Sequence, residues 1–267
     1  MKSAYQKLER AKQHLALLDA SITAFRALDA YEFVPKEGEP PQDKRLAVIE
    51  YHVKVKSELP DSWGVIVGDI LTNLRAALDH SVFGHAADRN ALSPKHVKAM
   101  SFPILTDPVK GFAGPTKTLG ALVDPTVLAV VESRQPYNVS DPATARLQVL
   151  NELVNVDKHR TINVIAYSAM ELGIKRKADD IIIRSVDLHP VEMVDGAVIG
   201  SVILDRPIGQ STDKAPTYRT LDGTLEVGYV ETIAIPSVDG RHSVLDVMEA
   251  LVFDVEDVLH ELKKAGC

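Results

Sequence analysis

Residues 63 to 87 read WGVIVGDILTNLRAALDHSVFGHAA, a long and mostly apolar stretch. The four residues before it, Leu59 to Ser62, supply a proline and two capping residues, a composition typical of a helix start. Apolar side chains would occupy most of the circumference of a helix formed here. The stretch therefore predicts a central, buried helix against which the rest of the chain packs.

The hydrophobic spacing on either side of this stretch predicts further elements. Helices that are amphipathic or opened by a proline are predicted at 2–29, 125–134, 142–156 and 243–264. Strands are predicted from alternating or β-branched runs at 31–34, 45–56, 162–166, 181–186, 198–204 and 225–235, with a short strand around Phe102. Helices and strands are thus segregated along the chain rather than alternating.

Segregation of this kind is typical of an α+β fold with an antiparallel sheet. We expect a helical N-terminal half with a central buried helix, and an antiparallel β-sheet in the C-terminal half closed by a C-terminal helix. The 267 residues are predicted to form a single α+β domain. Its expected parts are a helical part at 1–159, a β-rich part at 160–240 and a closing helix at 241–265.

Charge, hydropathy and cysteine content limit the kinds of protein that this chain could be. The chain has 30 Lys and Arg residues against 37 Asp and Glu residues, so its net charge is −7 and a nucleic acid would need a local basic patch. The N-terminus lacks an apolar core of signal-peptide type, and no run of about 18 apolar residues suggests a membrane span. The lone cysteine, Cys267, fits a reducing compartment. We expect a cytoplasmic protein without a membrane partner.

The predicted central helix carries polar side chains that need partners. At about 100° per residue, Asp69, Asn73 and His80 fall within a narrow stripe opposite the apolar face. Arg75 and Asp79 are four residues apart and therefore lie on one side of the helix. One interpretation is structural, with an intrahelical ion pair and His80 as a hydrogen-bonded core residue. The other interpretation is that these groups line a functional site.

A second polar cluster lies at residues 151 to 160, which read NELVNVDKHR. Asn151, Asn155 and His159 recur every four residues, so they would line one side of a continuing helix. The last four residues of the cluster are all ionisable. Such a run is commonly a solvated turn, but the asparagine stripe that leads into the histidine favours a site.

Two histidines with arginine, lysine and carboxylate neighbours meet the needs of metal-free phosphodiester cleavage. One histidine takes a proton, the other donates one, and a cation stabilises the charge on phosphorus. The same groups could instead bind an anionic metabolite without reaction. A third hypothesis is a metal-dependent hydrolase that uses His80, His159 and Asp69, although His80 and His85 lack the i, i+4 spacing of a helical zinc site. No Walker loop, GxGxxG or GxSxG motif occurs, so no cofactor is expected.

Four short motifs occur in order between about residues 60 and 160. They are LRAALDH at 74–80, FPI at 102–104, QPY at 135–137 and DKHR at 157–160. In this order they resemble an uncharacterised bacterial family with the pattern LRxALDH, FPI, QPY and DKHR. That resemblance implies no activity, and the β region beyond residue 170 carries no motif that matches a family.

Arg75 and His80, an arginine followed by four residues and a histidine, also resemble the helical ribonuclease motif of HEPN domains. Those domains are common in toxin and defence systems. The resemblance implies a metal-independent endoribonuclease that acts as a homodimer, in which the arginine and histidine of both subunits meet in one composite cleft.

Our leading hypothesis from the sequence is therefore a HEPN-like ribonuclease with Arg75, His80 and His159 as catalytic residues. Its expected partner is RNA, or another phosphate-bearing ligand, held by a local basic patch. The predicted binding residues are the polar side chains of both clusters and of the QPY motif: Asp69, Asn73, Asp79, Gln135, Tyr137, Asn151, Asn155, Asp157, Lys158 and Arg160. The alternative is a non-catalytic ligand-binding or regulatory module in which a buried His, Arg and Asp network joins the helical and β halves.

Overall fold

A computed structural model describes residues 1–39, 42–43, 45–107, 112–114, 116–174, 182–205 and 225–267. Its helices are α1 (Lys2–Arg26), α2 (Ser62–Arg89), α3 (Pro94–Ala99), α4 (Lys117–Gly120), α5 (Pro125–Ser133), a 3-10 turn at Pro136–Asn138, α6 (Arg146–Asp157) and α7 (Val244–Lys264). Its strands are β1 (Tyr31–Glu37), β2 (Leu46–Val55), β3 (Ile165–Ile174), β4 (Ile183–Leu188), β5 (Val198–Asp205), β6 (Leu225–Ile235) and β7 (Val238–Ser243). The predicted α+β class, with antiparallel strand pairs and a helix after the last strand, is confirmed.

The strands within the described residues form two sheets, with the orders β1-β2-β5-β4 and β3-β6-β7. In the first sheet β2 pairs antiparallel with β1 on one side and with β5 on the other. β4 pairs antiparallel with β5, and β3 pairs antiparallel with β6 in the second sheet. Two strands from the N-terminal half therefore share a sheet with two from the C-terminal half, so the β-structure is not confined to residues 160–240.

By the pattern of their contacts, the residues divide into two compact units. The helical unit comprises 1–21, 60–164 and 233–267, and the sheet unit comprises 22–59 and 165–232. Every residue predicted to belong to the functional site lies in the helical unit. The prediction of a single domain stays a prediction. Within the described ranges, no helix has both the length and the apolar character that crossing a membrane requires.

α2 provides the core of the helical unit, as the sequence predicts. It packs against α6 and α7. Its fully buried apolar side chains are Trp63, Val67, Ile70, Leu71, Leu74, Ala77, Leu78, Val82 and Ala86. α7 begins where the Ser243 hydroxyl accepts a hydrogen bond from Asp246 N. On α7 Met248 is fully buried, whereas Val247, which the helical spacing would place in the core, is only half-buried.

Two predictions about local structure are wrong. The helix expected from Pro142 begins only at Arg146, because the Asp141 carboxylate accepts a hydrogen bond from Ala143 N and folds the chain into a turn. No strand forms around Phe102, since residues 101–107 have no regular secondary structure. The backbone of that segment must therefore find its hydrogen-bond partners elsewhere.

Candidate functional site

Arg75, the proposed catalytic arginine, is bound to groups of its own chain. Its Nη2 donates to Asp79 Oδ1 at 3.0 Å and its Nε lies 3.3 Å from Asp79 Oδ2. Nη2 also donates to the carbonyl oxygen of Phe102 at 2.6 Å. Asp79 Oδ1 in turn accepts a hydrogen bond from Phe102 N at 2.8 Å. The pair therefore satisfies both backbone polar groups of the fully buried Phe102.

Gln135 binds the same segment just after Phe102, at Pro103 and Leu105. Its Nε2 donates to the carbonyl oxygen of Pro103 at 3.0 Å, and its Oε1 accepts from Leu105 N at 2.9 Å. Nε2 also donates to Val131 O at 2.7 Å within the turn that ends α5. The Gln135 side chain is only 1% exposed, so its amide is both buried and satisfied.

We call Arg75, Asp79, Gln135 and the backbone of residues 102–105 the polar network. In it, three side chains supply four hydrogen bonds to a segment that has neither helix nor strand. The LRAALDH, FPI and QPY motifs thus meet at one place, where hydrogen bonds join the first and the third to the second. The structural interpretation of the Arg75 and Asp79 pair accounts for this geometry, and it extends to the other two motifs.

The polar stripe on α2 lies along α1. His80 Nδ1 lies 2.8 Å from the Ser3 hydroxyl. The Lys7 ammonium donates to Asn73 Oδ1 at 3.3 Å, while Asn73 Nδ2 donates to Asp69 O at 2.8 Å on its own helix. His14 Nδ1 is 4.0 Å from Asp69 Oδ2. Each member of the stripe therefore has a neighbour on α1, and the helices run antiparallel.

Asp157 of the DKHR motif, and Ile162 just after that motif, lie against the first turns of α2. A Cβ added at Gly64 would overlap the carbonyl oxygen of Ile162, and a Cβ added at Gly68 would overlap the Asp157 carboxylate. The two glycines, four residues apart on one face, allow this close approach. Burial, and secondly the Asp69 carboxylate, raise the pKa of Asp157. This glycine spacing is a signal in the sequence that the motif analysis overlooked.

The structure does not bring His80 and His159 together. His159 lies two residues beyond Asp157 and three before Ile162, and so beside the first turns of α2. His80 follows Gly64 by sixteen residues, a rise of about 24 Å along the helix. The two histidines therefore lie beside different parts of α2. Among the described residues, no group of three or more His, Cys, Asp or Glu side chains could hold a metal ion.

The remaining predicted residues are dispersed. Lys158, His159 and Arg160 are exposed, as is Asn155, whose Oδ1 lies 3.5 Å from the Lys158 ammonium. Asn151 is half-buried on α6. Tyr137 is half-buried, and burial, with a smaller effect of the Glu132 carboxylate, raises the pKa of its phenol. The three consecutive exposed residues fit a solvated turn.

A cavity of about 390 Å³ lies where the QPY turn, the start of α6 and the middle of α7 meet. We call it the α6 pocket. Its volume falls within the range of small-molecule sites, about 300 to 1,000 Å³. Its charged lining residues are Arg134, Asp141, Arg146 and Asp254, and its apolar ones include Pro136, Val139 and Leu147. α6 starts at this wall, where its N-cap residue Ala145 offers no side chain to the first N–H groups.

The charged groups of the α6 pocket differ in how they are paired. Arg134 donates to Glu261 at 2.7 Å and to Asp257 at 2.5 Å, so two carboxylates of α7 balance its charge. Arg146 is exposed, with its guanidinium carbon 6.0 Å from the centre of the Phe253 ring. Burial raises the pKa of Asp254, and Arg146 opposes that rise. Within the described part of the chain, neither Arg146 nor Asp254 forms an ion pair or side-chain hydrogen bond.

Sequence reasoning found Gln135 but not Arg146 or Asp254. These two residues are about a hundred positions apart and belong to no motif, so only the packing of α6 against α7 relates them. Comparisons of the chain with protein-family models, with curated proteins and with solved structures find no match.

Proposed function

We propose that the chain is a non-catalytic module that binds a small ligand in the α6 pocket. The observation that carries this proposal is the state of Arg75, whose guanidinium is bound by Asp79 and by the Phe102 carbonyl. An arginine that holds its own backbone has few donors left for a phosphate. The motif residues then serve to stabilise one wall of the pocket, because Gln135 belongs to both the polar network and that wall.

The rival proposal is the HEPN-like ribonuclease. It requires a homodimer in which Arg75 and His80 of two subunits meet, and an Arg75 that leaves Asp79 to contact RNA. Asp79 would then lose a cation, and the Phe102 carbonyl would lose a donor. Leaving buried polar groups unpaired costs about 1 to 3 kcal/mol for each group, which disfavours that rearrangement. The binding module is also favoured by the positions of the two histidines, because His159 lies beside the first turns of α2 and His80 about four turns further along that helix.

The experiment that tests the proposal is incubation of the purified protein with a mixed RNA pool, with and without EDTA, beside the His80→Ala variant. We expect the RNA to stay intact with both proteins, and the melting temperature of the protein to be unchanged by RNA. Cleavage that survives EDTA and disappears in His80→Ala would establish the ribonuclease and overturn the binding-module proposal.

A second measurement supplies the positive evidence. In a thermal-shift screen against a library of small metabolites, we expect at least one compound to raise the melting temperature by mass action. The variant Val139→Trp, at a half-exposed position of the lining, should fill the α6 pocket and abolish that rise. Leu17→Trp, at a similarly exposed position of α1, is the matched control and should retain it. A rise that Val139→Trp leaves unchanged would exclude this pocket as the site.

A further inference from the structure

The imidazole of His85, in the last two turns of α2, is completely enclosed. Its Nε2 accepts a hydrogen bond from Asp124 N at 3.2 Å, so the neutral ring carries its proton on Nδ1. Nδ1 is buried as well and has no hydrogen-bond partner of normal geometry among the described residues. A second proton, on Nε2, would face the N–H group of Asp124. The observed arrangement therefore requires a neutral His85.

The charged groups around His85 also favour its neutral form. Burial and, secondly, the Arg89 guanidinium lower the pKa of His85, while the Asp124 carboxylate, the backbone of Gly266 and the Asp88 carboxylate oppose that change. The Asp124 carboxylate lies 3.3 Å from Nε2, but the same oxygen is 3.0 Å from Arg89 Nε. Because this carboxylate is shared with an arginine and is 46% exposed, it compensates a charge on the ring only in part.

Residues 265–267, which follow α7, contact the same face of α2. The Cys267 thiol lies 3.2 Å from the carbonyl oxygen of Ser81, one turn before His85. Arg89 Nη2, one turn after His85, is 3.3 Å from the carbonyl oxygen of Gly266. The buried histidine thus lies between the two positions at which α2 contacts this segment.

The start of α5 contacts both His85 and residues 265–267. Asp124 is the N-cap residue of α5, and its N–H group is the one that His85 accepts. In the first turn of α5, the Thr126 hydroxyl donates to the carbonyl oxygen of Ala265 at 3.0 Å. A shift of this turn away from His85 would therefore remove a donor from residues 265–267.

We propose that His85 is an acid-sensitive latch that joins the start of α5 to residues 265–267. Protonation of Nε2 breaks its hydrogen bond with Asp124 N, the first turn of α5 moves away, and Thr126 releases Ala265. The closed latch is fully stable above the ordinary histidine pKa of about 6.5, and its stability is lost as the pH falls below that value toward the lowered pKa of the closed state. None of these residues lines the α6 pocket, so the latch does not depend on the proposed ligand-binding function.

The accessibility of Cys267 measures whether the latch is open. This residue is the only cysteine of the chain, it is half-buried, and burial raises the pKa of its thiol. Its rate of reaction with 4,4′-dithiodipyridine is measured from pH 8 to pH 5 and divided by the rate for the unfolded protein at the same pH. We expect the protection of the thiol to fall by about 3- to 10-fold between pH 7.5 and pH 5.

His85→Gln separates the latch from other effects of pH. Its amide oxygen can still accept from Asp124 N, but the side chain takes up no proton, so protection should be independent of pH. His159→Gln, at an exposed position, is the matched control and should show the same fall as the unmodified protein. Constant protection in the unmodified protein, or an equal fall in His85→Gln, would overturn the proposal.

A second measurement uses the unmodified protein and does not depend on how the variant folds. The imidazole resonances of His85 and the amide resonance of Asp124 are followed by NMR from pH 8 to pH 5. They should shift with one common midpoint below about 6.5, while the far-UV circular dichroism stays unchanged. An Asp124 amide that does not follow His85 would overturn the proposal, and so would a loss of helical signal at the same midpoint.

Discussion

The polar network and the α6 pocket share the residue Gln135, yet they hold their charges in different ways. In the polar network Arg75 and Asp79 face each other, and both contact the backbone of Phe102. In the α6 pocket Arg146 and Asp254 lie on one cavity without pairing. Charges that are already satisfied stabilise a fold, whereas charges left without partners are available to a ligand. Arg75 and Asp79 of the LRAALDH motif thus serve the fold, whereas Arg146 and Asp254 of the candidate pocket belong to no motif.

Of the substitutions that test this comparison, Asp79→Ala should lower the free energy of unfolding the most. The substitution removes the acceptor of Phe102 N and leaves the Arg75 guanidinium without a counter-charge. Because the Asp79 side chain is 31% exposed, we expect the free energy of unfolding to fall by about 2 to 4 kcal/mol, less than for a fully buried pair. Urea unfolding measures this. The exposed control Asp19→Ala should lose less than about 0.5 kcal/mol, and an equal loss in both variants would contradict the network.

Gln135→Leu should cause the next largest loss of stability. The leucine has about the same size, but it removes the hydrogen-bond partners of Leu105 N and Pro103 O. We expect a loss of about 1 to 3 kcal/mol in the free energy of unfolding. Gln13→Leu, at an exposed position on α1, is the control and should change stability little. A Gln135→Leu variant as stable as its control would mean that residues 102–105 do not depend on this amide.

The same substitution at Arg75 and at Arg146 compares the polar network with the α6 pocket most directly. Arg75→Gln should lower the free energy of unfolding by about 1.5 to 3 kcal/mol, because hydrogen bonds to charged groups are lost. Arg146→Gln, at an exposed position without an ion pair among the described residues, should change it by less than about 0.5 kcal/mol. Chemical unfolding of both variants in one buffer measures the difference. Equal losses would erase the distinction between the two regions.

The smallest effect concerns Asp254 and depends on pH. Burial, opposed by Arg146 and Arg134 and assisted by Asp257, raises the pKa of Asp254 in the folded state. The stabilising contribution of the protonated form is fully present below the unfolded pKa of about 3.9 and is lost as pH rises through the folded pKa. Asp254→Asn should therefore raise the melting temperature slightly at neutral pH, and the gain should shrink as pH falls toward 4. A constant gain or a loss at neutral pH would contradict a raised pKa of Asp254 in the folded state.

The sequence predicted the elements better than it predicted the site. Val67, Leu71, Leu74 and Leu78 recur at helical spacing, and all four are buried on α2 as that spacing requires. The start of α6 was placed too early, because Asp141 can either cap a helix or stabilise a turn, and only the fold decides between them. Local patterns thus fix what a segment forms but leave its ends open.

The candidate site could not be predicted from the sequence, and the reason is different. The spacing of Arg75 and Asp79 predicts their ion pair, but not that Phe102, more than twenty residues later, binds between them. His80 and His159 looked alike as ionisable residues, and only the packing of α6 on α2 places them at different ends of that helix. Pairing across the fold depends on tertiary structure, which periodicity does not encode.

The measurement that tests our central claim most directly is a double-mutant cycle of Arg75→Gln and Asp79→Asn, with the free energy of unfolding determined for all four proteins. If Arg75 serves to hold Asp79 and the backbone of Phe102, the two substitutions should be coupled by about 1 to 3 kcal/mol. Losses that add within about 0.5 kcal/mol would show that Arg75 does not depend on Asp79. That result would contradict the account and leave the arginine available for catalysis.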